Sequence, residues 1–106
     1  MNVLLFGIRL CQLANLQKLQ KNSYYEVLLE LTSSGDVLVQ GSRAVISSSF
    51  DEDRLESYLN AIPLLMPSLK LLGYKKDAKN SYRVWIASDS ISAEELEFVD
   101  KEIKSH

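Results

Sequence analysis

Eight residues, Tyr24 to Leu31, constrain the fold more than any other segment of the chain. Tyr25, Val27, Leu29 and Leu31 alternate with Tyr24, Glu26, Leu28 and Glu30. A period of two places the first set on one face of a β-strand, toward a core. A lone strand leaves its backbone groups unpaired, so a partner must follow. Thr32-Ser33-Ser34-Gly35-Asp36 has turn composition, with Gly35 free to take positive φ, and Val37–Gln40 is the expected return strand. Gly41-Ser42 reads as a bulge or second turn, and Ala44–Ile46 as an extension or a further strand.

The rest of the chain supplies helices and a second hairpin. Ser49, with Glu52 three residues on, has capping-box spacing ahead of a helix carrying Leu55, Tyr58, Leu59 and Ile62 on one stripe. Pro63 and Pro67 end or kink that helix, and Leu64-Leu65-Met66 between them reads as a buried apolar connection, with an exposed apolar loop open to a partner as the alternative. Tyr82–Ser88 reads as a strand, and Leu69–Tyr74 as either a last helical turn or an edge strand paired with it. Ser92 and Glu95 repeat the capping-box spacing before a final helix with Leu96, Val99 and Ile103 inward. Residues 3–20 fit either a strand running into a helix or one long helix.

These elements define the α+β class: a small antiparallel sheet of about four strands, with two or three helices packed on one face. One admissible order is ferredoxin-like, with an added C-terminal helix. With 106 residues and no internal linker, the expectation is one domain spanning residues 1–106.

Composition excludes more than it assigns. The net charge of -2 is too mild for bulk attraction to nucleic acid or anionic lipid. No segment reaches the length of a membrane span, and Val3–Phe6 is too short and wrongly flanked for a signal peptide. The single cysteine, Cys11, forms no intrachain disulfide and reads as a small core residue of a cytoplasmic protein. The single histidine, His106, is the last residue, so no Ser-His-Asp or Cys-His arrangement and no structural zinc site is expected. Gly7, Gly35, Gly41 and Gly73 form no phosphate-binding loop. Ser47-Ser48-Ser49 precedes a helix, but Asp51, Glu52 and Asp53 would repel a phosphate there, which favours a capping role. Neither a catalytic constellation nor a cofactor or metal site is expected.

Two polar patterns remain. On the outward sheet face, Tyr24, Leu28, Arg83 and Trp85 are residue types that anchor protein interfaces, provided no helix covers them. The alternative is that Trp85 and Leu28 are core beneath a terminal helix. The second pattern is basic and aromatic. Lys70, Tyr74, Lys75, Lys76, Lys79, Tyr82 and Arg83 combine charge with stacking faces, as binders of single-stranded nucleic acid, nucleotides or other anionic ligands do. A lysine-rich hairpin also protects a sheet edge from aggregation. The first expectation is therefore a non-catalytic protein-binding module. An adaptor, a regulatory subunit or a small inhibitor of the kind phages and plasmids carry would fit, with another protein or a second copy of the chain as partner. The alternative is nucleic-acid or phosphorylated-ligand binding through residues 70–83.

Overall fold

The computed structural model describes residues 2–16, 23–40 and 45–105. In chain order these form α1 (Val3–Leu16), β1 (Tyr24–Leu31), β2 (Val37–Val39), β3 (Val45–Ser47), α2 (Glu52–Leu65), β4 (Leu71–Ala78), β5 (Ser81–Ala87) and α3 (Ala93–Lys104). The fold is α+β, with five strands among the described residues rather than four, all paired antiparallel in the order β3-β2-β1-β5-β4. This element order is not the ferredoxin-like one. A meander, β1-β2-β3, and a hairpin, β4-β5, meet at the β1–β5 pair, and α2 carries the chain from one edge of the sheet to the other.

The ambiguous N-terminal segment is one helix over Val3–Leu16; residues 17–22 lie outside those described. Asn2 starts it, its side-chain oxygen accepting from the Leu5 N–H at 2.8 Å. The strand-like alternation of Leu4, Phe6, Ile8 and Leu10 has a helical meaning too. Phe6 and Leu10 stand four apart on one helix face and are fully buried, whereas Leu4 and Ile8 are exposed. Cys11 is half-buried against the core.

The main core lies between the sheet and the pair α1–α2. Val27, Leu29 and Leu31 of β1 meet Phe6, Leu10, Leu55, Leu59 and Ile62, and Tyr25 packs against them, as the alternation requires. Phe6 stacks on Phe50 at 5.5 Å, and both meet Tyr58 edge-on. Gly35 turns at φ 87°, supporting the β1–β2 connection, while Gly41-Ser42 lies outside the described residues. Helix α3 lies on the opposite face of the sheet. Gly73 of β4 makes room for it: a Cβ there would stand 2.6 Å from Ile103 Cδ1.

Two boundary expectations are corrected. The cap of α2 is Asp51, whose carboxylate accepts from the Arg54 N–H at 2.8 Å; Ser49 takes a left-handed φ of 63° instead. Leu64 and Leu65 are exposed, at 83% and 57%, rather than buried. Pro63 sits in the last turn of α2, so the helix continues through Leu65 and points both side chains outward. Only Met66 of that trio turns inward, against Gly7.

Candidate functional site: the free edge of β4 and its cleft

The sheet face expected to bind a partner is largely covered. Strand β5 sends Tyr82, Val84 and Ile86 toward α1 and α2, and Arg83 and Trp85 toward α3. Trp85 is 1% exposed, so its indole is core between β5 and α3 and cannot anchor a partner. Arg83 is equally committed. Its Nε donates to Glu26 Oε1 at 2.7 Å and its Nη2 to Glu26 Oε2 at 3.3 Å, with Glu102 Oε2 3.6 Å away. The hydrogen bond to Glu26 raises the guanidinium's pKa. Tyr24 and Leu28 are half-buried. Burial, and the carboxylates of Glu95, Glu26 and Glu102, push the Tyr24 hydroxyl's pKa up.

The basic and aromatic residues do not share a surface. Strand alternation places Lys75 and Arg83 opposite each other on the α3 face, and Lys76 and Tyr82 opposite each other on the α2 face. Lys70 pairs with Asp89, and Lys76 with Glu52. Lys75 Nζ donates to the Glu102 carbonyl at 3.3 Å and to Ser105 Oγ at 2.9 Å. Tyr82 is buried and Tyr74 half-buried, their rings 6.3 Å apart. Of the seven, Lys79 alone stands exposed in the β4–β5 turn without an ion pair among the described residues.

An apolar cleft does form where β4 meets α3. It measures about 380 Å³ and is lined by Leu72 of β4 and by Leu96, Val99 and Ile103 of α3, with Glu97 and Asp100 at its rim. A bulge builds it. The β4–β5 register shifts between Leu71 and Gly73, so Leu72 is the extra residue. Leu71 stays in the main core, Gly73 admits Ile103, and Leu72 turns into the cleft. Helix α3 is held at a fixed height by its N-terminal anchor. Ser92 and Glu95 form the expected capping box, and Glu95 also accepts from the Ser23 N–H at 2.9 Å, fastening α3 to the start of β1. Those backbone N–H groups hold the Glu95 carboxyl below its ordinary pKa.

Beside the cleft runs the outer edge of β4, the last strand of the sheet. Such an edge carries backbone N–H and C=O groups with no strand partner. Its second half, Lys75-Lys76-Asp77, is charged and ends in another register shift, the usual protection against unwanted pairing. Its first half, Leu71 to Tyr74, carries no charge and borders the cleft. Sequence reasoning allowed β4 as an edge strand but missed the cleft, because neither Leu72 nor Leu96 signals which neighbour it faces.

A second apolar stripe, Leu4, Leu5 and Ile8, lies exposed on α1. Among the described residues, no three His, Cys, Asp or Glu come together as a metal-holding group, and no helix is long and apolar enough to cross a membrane. Comparison with known protein families, curated proteins and solved structures finds no significant match.

Proposed function

We propose that the chain is a non-catalytic protein-binding module that receives an extended segment of a partner protein along the uncharged half of β4. One apolar side chain of that segment fills the cleft between β4 and α3. The observation that carries this reading is the coincidence of three features in one place: a free strand edge, a charge-free stretch of it, and an apolar cleft opened by the Leu72 bulge. Strand addition draws affinity from main-chain hydrogen bonds and specificity from a side-chain pocket, and this site offers both. The partner interface thereby moves from the Trp85 face to the sheet edge.

The test is selection of twelve-residue peptides from a random displayed library, followed by amide chemical-shift mapping with the enriched sequences. Binding through the cleft perturbs Leu71–Tyr74 and the cleft face of α3, and Leu96→Glu weakens it at least tenfold. Leu96 is 46% exposed, so that substitution leaves the fold intact. Enriched peptides that bind Leu96→Glu unchanged, or that perturb α1 instead, would overturn the reading.

A further inference from the structure

At the opposite edge of the sheet, beside β3, a polar pocket of about 300 Å³ is lined by Arg9, Val45, Ser47, Ser48, Ser49 and Arg54. We propose that it binds a tetrahedral phosphate oxyanion, esterified or free, between the two guanidinium groups.

The geometry supports this through four observations. First, both arginines are held in place without being neutralised. Arg9 Nη1 donates to the Ile46 carbonyl at 3.1 Å. Arg54 Nη1 donates to the Ser49 carbonyl at 3.3 Å, and its guanidinium lies 5.0 Å from the Phe50 ring centroid and 5.7 Å from that of Tyr58. Neither makes an ion pair among the described residues. Each guanidinium has five N–H donors and uses few of them here, so a fixed fork of donors remains for an oxyanion.

Second, Ser47 lines the same pocket, is only 3% exposed, and its hydroxyl has no hydrogen-bond partner among the described residues. A buried polar group left unpaired costs about 1–3 kcal/mol, and an oxyanion would supply an acceptor for it. Third, the acids that argued against phosphate binding in the sequence do not line the pocket. Asp51 is turned to the Arg54 backbone N–H, and Glu52 to Lys76. Fourth, the left-handed turn at Ser49 leaves Ser48 and Ser49 exposed on the pocket wall.

Sequence reading could not assemble this site, because Arg9 belongs to α1, Ser47 to β3 and Arg54 to α2. It is independent of the β4 cleft and at the far side of the sheet from it.

The experiment is titration of the full chain with inorganic phosphate, O-phosphoserine and, as a control, unphosphorylated serine, read by amide and arginine Nε chemical shifts. Saturable shifts at Ser47–Ser49 and at both arginine side chains are expected with phosphate and phosphoserine, and none with serine. Tighter binding of phosphoserine identifies an esterified ligand; equal binding identifies free phosphate as the source. Arg9→Gln and Arg54→Gln should each weaken binding about tenfold, since each removes a charge-assisted donor. Both side chains are exposed, so an unchanged spectrum elsewhere verifies folding. Ser47→Ala should weaken binding while leaving thermal stability unchanged or higher. Shifts that do not saturate, that persist in the double arginine variant, or that fall on Lys75, Lys76 and Lys104 instead would overturn the proposal.

Discussion

The Arg83 guanidinium lies 4.7 Å from the centroid of the Trp85 ring, two residues along the same strand, and Glu26 holds it there from β1. Charge and indole thus form the floor on which α3 rests, rather than a docking face. Trp85→Ala should therefore destabilise the protein by about 3–5 kcal/mol, the range for truncating a fully buried aromatic side chain. Urea unfolding checks the magnitude. Amide exchange should show α3 losing protection first, because Trp85 belongs to the smaller cluster under that helix. Near-normal stability in this variant would mean that α3 does not cover the ring.

The Tyr82 hydroxyl is buried with no hydrogen-bond partner in good geometry among the described residues, although Glu56 and Glu52 lie near it. An unpaired buried hydroxyl costs stability, so Tyr82→Phe should be neutral or stabilising by up to about 2 kcal/mol. Burial, followed by those two carboxylates, pushes the hydroxyl's pKa far above its ordinary value of 10.0. The folded protein therefore holds this proton more tightly than the unfolded chain. Ionisation of this group therefore leaves stability unchanged below about pH 10 and lowers it as pH rises beyond that. Wild type should lose stability faster than Tyr82→Phe in alkaline urea titrations.

Much of this architecture is written in local pattern. The alternation in Tyr24–Leu31 sets both the strand and its buried face, and the Ser92–Glu95 spacing marks the start of α3. What local pattern does not carry is which side of the sheet a helix chooses. The apolar stripe of α3 would suit either face, and the choice rests on Gly73 admitting Ile103 and on Trp85 needing cover. That one choice buried Trp85, the centre of the expected partner surface. The seven basic and aromatic residues of 70–83 lie close together in sequence, but a strand pair distributes neighbours to opposite faces. The Arg9–Arg54 pocket was illegible for the converse reason: its residues are distant in sequence and meet only after α1 and α2 pack.

The anchor of α3 can be weakened without touching the core. Ser92→Ala removes the hydroxyl that accepts from the Glu95 N–H at 3.1 Å, and should cost about 1 kcal/mol. The Glu95 carboxyl works from the other side, accepting from Ser23 and Ser92, and its pKa is lowered as a result. A lowered folded-state value means this contribution is present above the unfolded value near 4.5 and is lost as pH falls through the folded one. Acid unfolding should begin at higher pH in wild type than in Glu95→Gln, once each is referenced to its own stability at pH 7. Identical acid transitions would show that the Ser23 contact contributes nothing to folding.

The end of α2 separates exposure from burial within three residues. Ile62 is fully buried, whereas Leu64 is 83% exposed. The last turn of α2 contains no basic residue, so a cation there would meet the negative end of the helix dipole. Leu64→Lys should therefore leave stability within about 0.5 kcal/mol of wild type or raise it slightly. Ile62→Ala should cost about 2–5 kcal/mol, by lost burial and the cavity it leaves. Differential scanning calorimetry of the two variants decides between this arrangement and the buried Leu64-Leu65-Met66 connection that the sequence alone suggests. A large loss of stability in Leu64→Lys would mean that α2 ends before Pro63 and that Leu64 returns to the core.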